Sequence, residues 1–173
     1  MKIVKGYSVW LKPTGTIRKK LSRIMLKLSK ELNAPRFVDP HITLYENLTG
    51  KKNDLIVKTS CLAKSLKPFT VKLTEIDTSK NFNNLVILVE KTKDIMNAYL
   101  KAKEIYKIKP KKRSYIPHLT LLLKDITSKQ RNEIITKIGK KFNLRFEVKT
   151  IYLVPIGNKP EKWIPIKRFY LKK

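Results

Sequence analysis

Apolar and polar positions alternate at two periods along this chain, and the switches between the periods mark its elements. Tyr7, Val9 and Leu11 alternate with Ser8 and Trp10, which predicts a strand over Gly6 to Leu11 with the two sets on opposite faces. Beyond Pro13, Thr14 and Gly15 the period lengthens. Ile17, Leu21, Ile24, Met25, Leu28 and Leu32 recur at three- and four-residue steps, one buried stripe of a helix from Thr16 to Leu32. Asn33 and Pro35 stop that helix.

Period two returns from His41 to Leu48. A weaker helical stretch, with Leu55, Leu62 and Leu66 as its apolar markers, runs from Asn53 to Leu66 before Pro68. Phe69 to Ile76 and Leu85 to Glu90 read as a hairpin around the polar turn Thr78-Ser79-Lys80-Asn81. Ile95, Met96, Tyr99, Leu100 and Ala102 mark a helix over Lys93 to Tyr106. A strand follows from His118 to Leu123, and then a helix opened by Thr127, with Gln130 three residues on as a capping box. Its buried side is Ile134, Ile135, Ile138 and Phe142. One long strand from Arg145 to Val154, a turn at Pro155–Pro160 and a return over Lys162 to Leu171 complete the pattern.

The predicted order is β-α-β-α-β-β-α-β-α-β-β. No glycine-rich loop follows a strand, which argues against Rossmann and P-loop folds. No Pro-, Gly- or Ser-rich linker divides the chain, so residues 1–173 are expected to form a single α+β domain with sheets backed by helices.

Composition changes this picture in one respect. The chain carries 40 Lys and Arg against 13 Asp and Glu, a formal charge of +27. That charge suits a polyanionic partner such as RNA. An abundance of Lys, Ile and Asn, as AT-rich genes encode, accounts for it equally well, and the basic residues are spread along the whole chain. No run is long enough to cross a membrane, and the first residues lack the apolar block of a signal peptide. Cys61 is the single cysteine, read as a small buried helix residue, so no internal disulfide forms. A cytoplasmic monomer without membrane contact is the expectation.

The candidate chemistry lies in a repeat. Pro40-His41-Ile42-Thr43-Leu44 and Pro117-His118-Leu119-Thr120-Leu121 share one spelling, and they hold both histidines of the chain. On a strand, His41 and Thr43 share a face, as do His118 and Thr120, while the apolar residues between them anchor the opposite face. Proline lacks an N–H and suits a strand's first position. A lone strand histidine is more often a packing residue than a catalyst, but a core has no reason to repeat His-x-Thr after Pro. Two imidazoles across a cleft suit general acid–base catalysis, and two hydroxyls suit phosphate oxygens. A metal site is the competing reading of paired histidines. No cysteine pair or His-x-His spacing supplies further ligands, so neither metal nor cofactor is expected.

These motifs resemble the paired signatures of the two-histidine phosphoesterase superfamily, with its LigT-like fold. Tyr7-Ser8-Val9-Trp10, Pro35-Arg36-Phe37-Val38 with the first motif, and Tyr115-Ile116 with the second resemble plant-type 2′,3′-cyclic phosphodiesterases. The resemblance implies a bilobal fold, two sheets around a central cleft, and metal-independent hydrolysis of 2′,3′-cyclic phosphates of nucleotides or RNA 3′ ends to 2′-phosphates. ADP-ribose 1″,2″-cyclic phosphate and 2′,5′-linkages are the other substrates of such enzymes, and ligation is their reverse direction. It implies His41 and His118 as the acid–base pair, Thr43 and Thr120 as phosphate binders and Trp10 as a substrate contact. Leu123 departs from the pattern, because the subgroup has a substrate-contacting tyrosine there. Tyr45 and Tyr115 are the candidates to replace it.

Arg113, with Lys112, precedes the second motif in a basic loop, and is a candidate for holding a phosphate or an RNA backbone. The alternatives are a 2′,5′-phosphodiesterase or ligase-type activity, and an RNA-binding protein that keeps the fold without turnover.

Overall fold

The computed structural model describes residues 4–36, 39–79, 81–107 and 114–172. Among them the elements run β1 (Val4–Leu11), α1 (Gly15–Glu31), β2 (Ile42–Leu48), α2 (Lys52–Ser65), β3 (Phe69–Ile76), β4 (Leu85–Val89), α3 (Lys93–Tyr106), β5 (His118–Leu122), α4 (Ser128–Ile138), β6 (Lys141–Val148), β7 (Thr150–Gly157), a short 3-10 turn (Pro160–Lys162) and β8 (Lys167–Tyr170). Some local signals act as expected, whereas Phe142, expected on the last helix, lies on β6, and the return strand expected from Lys162 begins at Lys167. Asn33 ends α1 in the left-handed region at φ 47. Thr127 and Gln130 form the complete capping box of α4. Cys61 differs, because it is exposed on α2. That helix buries Leu55, Thr59, Leu62 and Ala63, and Cys61 lies off their stripe.

The strands form an antiparallel sheet in the order β6-β3-β4-β5-β2-β1-β7-β8. The two expected sheets are its four-stranded halves. They meet where β2 pairs β5 through Ile42 opposite Leu119. The outer strand β6 and the distant β7 are joined by Lys149 alone. Six strand spacings of a flat sheet amount to about 29 Å, whereas one residue reaches about 7 Å. The sheet must therefore curl.

The long strand expected over Arg145 to Val154 is thus two strands in different lobes. The break is written in the alternation. Phe146 and Val148 are buried at even positions, Ile151 and Leu153 at odd ones, and the phase slips at Lys149-Thr150.

One apolar cluster holds Ile42, Leu44, Leu119 and Leu121 together with Leu21 and Met25 of α1, Leu55 and Leu62 of α2, Ile95 and Ala98 of α3 and Ile134 of α4. The lobes exchange helices. α1, which follows β1, packs on β5, while α3, which follows β4, packs on β2. Each motif strand is backed by the helix of the other lobe. No described helix is long and apolar enough to cross a membrane.

Candidate active site

Ile42 and Leu119 are both fully buried on the helix-covered face. Side chains alternate along each strand, so the residues flanking this pair point the other way. An antiparallel register with Ile42 opposite Leu119 places His41 beside Thr120 and Thr43 beside His118. The two histidines then stand on the diagonal of one small rectangle, about 7–8 Å apart at their backbones. A charge on His118 disfavours a proton on His41.

Both imidazoles are oriented in the same way. His41 Nδ1 lies 2.9 Å from the carbonyl oxygen of Asp39, and His118 Nδ1 lies 2.8 Å from that of Ile116. A carbonyl can only accept, so Nδ1 carries the hydrogen and Nε2 the lone pair in each neutral ring. The intervening residues are Pro40 and Pro117, whose fixed φ helps turn the preceding carbonyl toward the ring. The same spelling therefore yields the same tautomer twice.

The neighbours differ. Trp10 stacks on His41 with ring centroids 3.5 Å apart and planes 4° from parallel, while Trp163 meets Trp10 edge-on. Phe82 leans on His118 at 4.3 Å and 49°. The Asp39 carboxylate is held by Lys12 Nζ and Arg18 Nε, each at 2.6 Å. Burial drives the pKa of His41 down to about 4, and Lys12 adds to the shift against the opposing Asp39 contacts. His118 is also lowered by burial, but its hydrogen bond to Ile116 and the carboxylates of Glu46 and Asp77 act against the shift.

Each motif strand bulges just after its threonine. Trp10 and Val9 of β1 face Thr43 and Tyr45 of β2, so two residues of β2 span one of β1. Val86 and Leu85 of β4 face Thr120 and Leu122 of β5 in the same way. An extra residue reverses the alternation beyond it. This is why Tyr45 is not brought to the histidines. It turns into the core, packed with Tyr99 and Tyr106. There the Tyr106 hydroxyl meets Thr59 Oγ1 at 2.8 Å, and burial raises its pKa to about 12.

Tyr115 is spent differently again. Its hydroxyl donates to the Thr43 carbonyl at 3.0 Å, and its ring stacks on Tyr99. Burial raises its pKa. Trp10 lies on the histidine face but is only 1% exposed beneath His41. Arg113 and Lys112 lie outside the described residues, as do Phe37 and Val38, and Leu123 is half-buried just past β5.

Sequence reasoning missed Asp39, Lys12 and Phe82. Asp39 had a signal, being the residue two before His41; the others are distant in sequence. Among the described residues, no group of three or more His, Cys, Asp and Glu side chains is placed to share a metal ion.

Comparisons with known proteins show relatives of this sequence and of this fold. A cyclic phosphodiesterase of Arabidopsis thaliana is 28% identical over 128 residues, 72% of this chain and 68% of that protein. The structure of Escherichia coli LigT complexed with 3′-AMP superposes with a TM-score of 0.70 at 15% identity, covering 98% of this chain and 99% of LigT. A protein of Thermus thermophilus reaches 0.69 at 16% identity, covering 96% of this chain and 97% of its own. At such identities the structural likenesses establish the fold. The sequence profile of the 2′-5′ RNA ligase superfamily matches residues 8–160. By that match the chain belongs to the 2′-5′ RNA ligase superfamily, the two-histidine phosphoesterases, and is an enzyme of that class.

Proposed function

We propose that this protein hydrolyses 2′,3′-cyclic phosphates of nucleotides or RNA 3′ ends and leaves the phosphate on the 2′ oxygen. The observation that carries the reading is the pairing of Ile42 with Leu119, from which two His–Thr pairs follow on one face of the sheet. The likeness to a cyclic phosphodiesterase supports it.

In the proposed reaction, water attacks phosphorus in line with the 3′ oxygen. His41 Nε2, in the neutral ring, takes a proton from the water, the P–O3′ bond breaks, and His118, entering the step as the imidazolium, gives its Nε2 proton to the departing O3′. The assignment rests on charge. Lys12 disfavours a proton on His41 by more than the Asp39 carboxylate favours one, while Glu46 and Asp77 favour one on His118. Thr43 and Thr120 donate to the non-bridging oxygens, whose charge grows in the transition state. No step calls on a metal ion. The hydrolysis is tested on a panel of 2′,3′-cyclic nucleotides, an ADP-ribose cyclic phosphate, a cyclic-ended RNA and a 2′,5′-oligonucleotide, with EDTA present and products identified. Near-normal turnover by both His41→Ala and His118→Ala would end the mechanism.

The match to the 2′-5′ RNA ligase superfamily favours a second reading, in which the same site acts on a 2′,5′-linkage. The panel separates the two. If the substrate is a long RNA, its KM rises steeply with salt and that of a free cyclic nucleotide changes little, because the +27 charge engages many phosphates only in the first case. Binding of RNA without turnover of any substrate on the panel would instead favour a non-catalytic RNA-binding protein on this fold.

A further inference from the structure

The +27 charge is spread along the sequence, but the fold gives one helix an outer face of a single sign. The basic residues of α1 are Arg18, Lys19, Lys20, Arg23, Lys27 and Lys30, and all are exposed. Its single acidic residue, Glu31, stands at the last position. By helical spacing, Lys19, Lys20, Arg23, Lys27 and Lys30 fall in one stripe about 100° wide, opposite the buried Leu21, Met25 and Leu28. From Lys19 to Lys30 the stripe is about 16 Å long. Among the described residues, Arg18 and Lys27 have carboxylate partners in Asp39 and Glu31, whereas Lys19, Lys20, Arg23 and Lys30 have none.

The other helices differ. α2 carries Asp54 and exposes Val57, α3 carries Asp94 and Glu104 and exposes Leu100, and α4 carries Glu133. Like charges four residues apart on a helix repel, as Lys19 with Arg23 and Arg23 with Lys27 do here. A solvated face needs polar residues and gains nothing from one sign, so stability does not account for this stripe.

The stripe also starts at the histidine site. Arg18, at the head of α1, donates to the Asp39 carboxylate, and the Asp39 carbonyl orients His41. An RNA strand with its 3′ end at the histidines would cross this rim and meet the helix. A helical strand carries a phosphate about every 3.4 Å along its axis, so the stripe spans roughly five. A basic amphipathic helix can instead lie on an anionic membrane, but that mode inserts its apolar face. Here the apolar face is packed in the core over β5.

We propose that the outer face of α1 is a track for the backbone of an RNA substrate, holding phosphates upstream of the 3′ end. Phosphate contacts carry no sequence information, so the track favours RNA over mononucleotides whatever its sequence. The proposal rests on the phosphodiesterase reading above for the seat of the 3′ end.

The test compares an RNA of about 12 nucleotides ending in a 2′,3′-cyclic phosphate, long enough to pass the rim and cover the stripe, with uridine 2′,3′-cyclic phosphate. The proteins are the wild type, the α1 variant Lys19→Gln/Arg23→Gln/Lys30→Gln, and a control of equal charge, Lys52→Gln/Lys64→Gln/Lys67→Gln, on and just beyond α2. All these positions are exposed and glutamine is a good helix former, so both variants should fold. The α1 variant should raise the KM for the RNA roughly ten-fold or more at low salt, and its slope of log affinity against log salt should be shallower by about 2. Its KM for the mononucleotide should not change, and the control should move the RNA value far less. Fluorescence anisotropy with the same RNA ending in a 3′-phosphate repeats the comparison without turnover. If no cyclic phosphate is hydrolysed but RNA binding depends on α1, the phosphodiesterase reading fails and the track stands. Equal weakening by the two variants overturns the track. So does an α1 variant that keeps its RNA affinity, and if that variant also loses binding to phosphatidylserine vesicles, the face belongs to a membrane instead.

Discussion

The Trp10 indole lies flat on the His41 imidazole, with centroids 3.5 Å apart and planes within 4°. Buried at 1% exposure, Trp10 fixes the ring that is proposed to take the proton. Trp10→Ala should therefore destabilise the fold by about 3–5 kcal/mol and lower kcat by up to about a hundred-fold through a misplaced imidazole. Trp10→Phe should recover most of the stability and part of the turnover. Urea unfolding and steady-state kinetics on the two variants check this, and unchanged kcat in a folded Trp10→Ala would remove Trp10 from the site.

The first motif leans on a buried ion pair with no counterpart at the second among the described residues. Extending the register puts Lys12 opposite His41 where Leu88 stands opposite His118, and Asp39 precedes the first histidine where Ile116 precedes the second. The Lys12 and Asp39 side chains are 12% and 9% exposed. Asp39→Asn leaves Lys12 without its carboxylate in a mostly dry position and should cost about 3 kcal/mol. It also loosens the carbonyl that orients His41, so kcat should fall more than KM changes. Equal stability of Asp39→Asn and wild type in chemical denaturation would contradict the account.

Acid should weaken this fold through His41. Burial lowers its folded pKa to about 4 from the ordinary 6.5. Between those values the unfolded chain binds a proton that the folded chain refuses, so stability is full above about pH 6.5 and is lost as the pH falls toward 4. The loss is on the order of 3 kcal/mol, and the lowered pKa of His118 adds in the same direction. Urea midpoints measured across this range should fall with pH, and His41→Asn should flatten the curve. For turnover, the kcat/KM profile should be bell-shaped with its maximum on the acid side of 6.5, since both histidines of the free enzyme are lowered.

Tyr115 ties the segment before the second motif to the backbone of the first, through its hydroxyl on the Thr43 carbonyl. Tyr115→Phe keeps the stack on Tyr99 and deletes only that bond. It should lose about 1 kcal/mol of stability and several-fold in kcat, with KM for a cyclic nucleotide less affected. A thermal melt paired with saturation kinetics distinguishes this seam bond from a neutral one.

Much of the fold was legible because it is local. Helix stripes, caps and strand alternation depend on residues a few positions apart, and Asn33, Thr127 and Gln130 act where their chemistry predicts. The break after Val148 leaves a phase slip in the alternation at Lys149-Thr150, yet the strand expected over Arg145 to Val154 runs straight through it, because the alternation resumes at once on the other side.

The order of residues is enough to make the two His–Thr pairs, because alternation on a strand is a property of the backbone and sets each histidine on the face of its own threonine. It is enough for the tautomer as well, since each Pro-His leaves a carbonyl two residues back within reach of Nδ1. That the pairs face one another comes from the packed chain, because register is a relation between strands and rests here on Ile42 opposite Leu119. The departure of Tyr45 from the site has the same origin, because a bulge exists only against a partner strand. So does the seat of Phe82 on His118, held through the guanidinium of Arg131, 49 residues away in sequence, whose long-range hydrogen bonds no local pattern records.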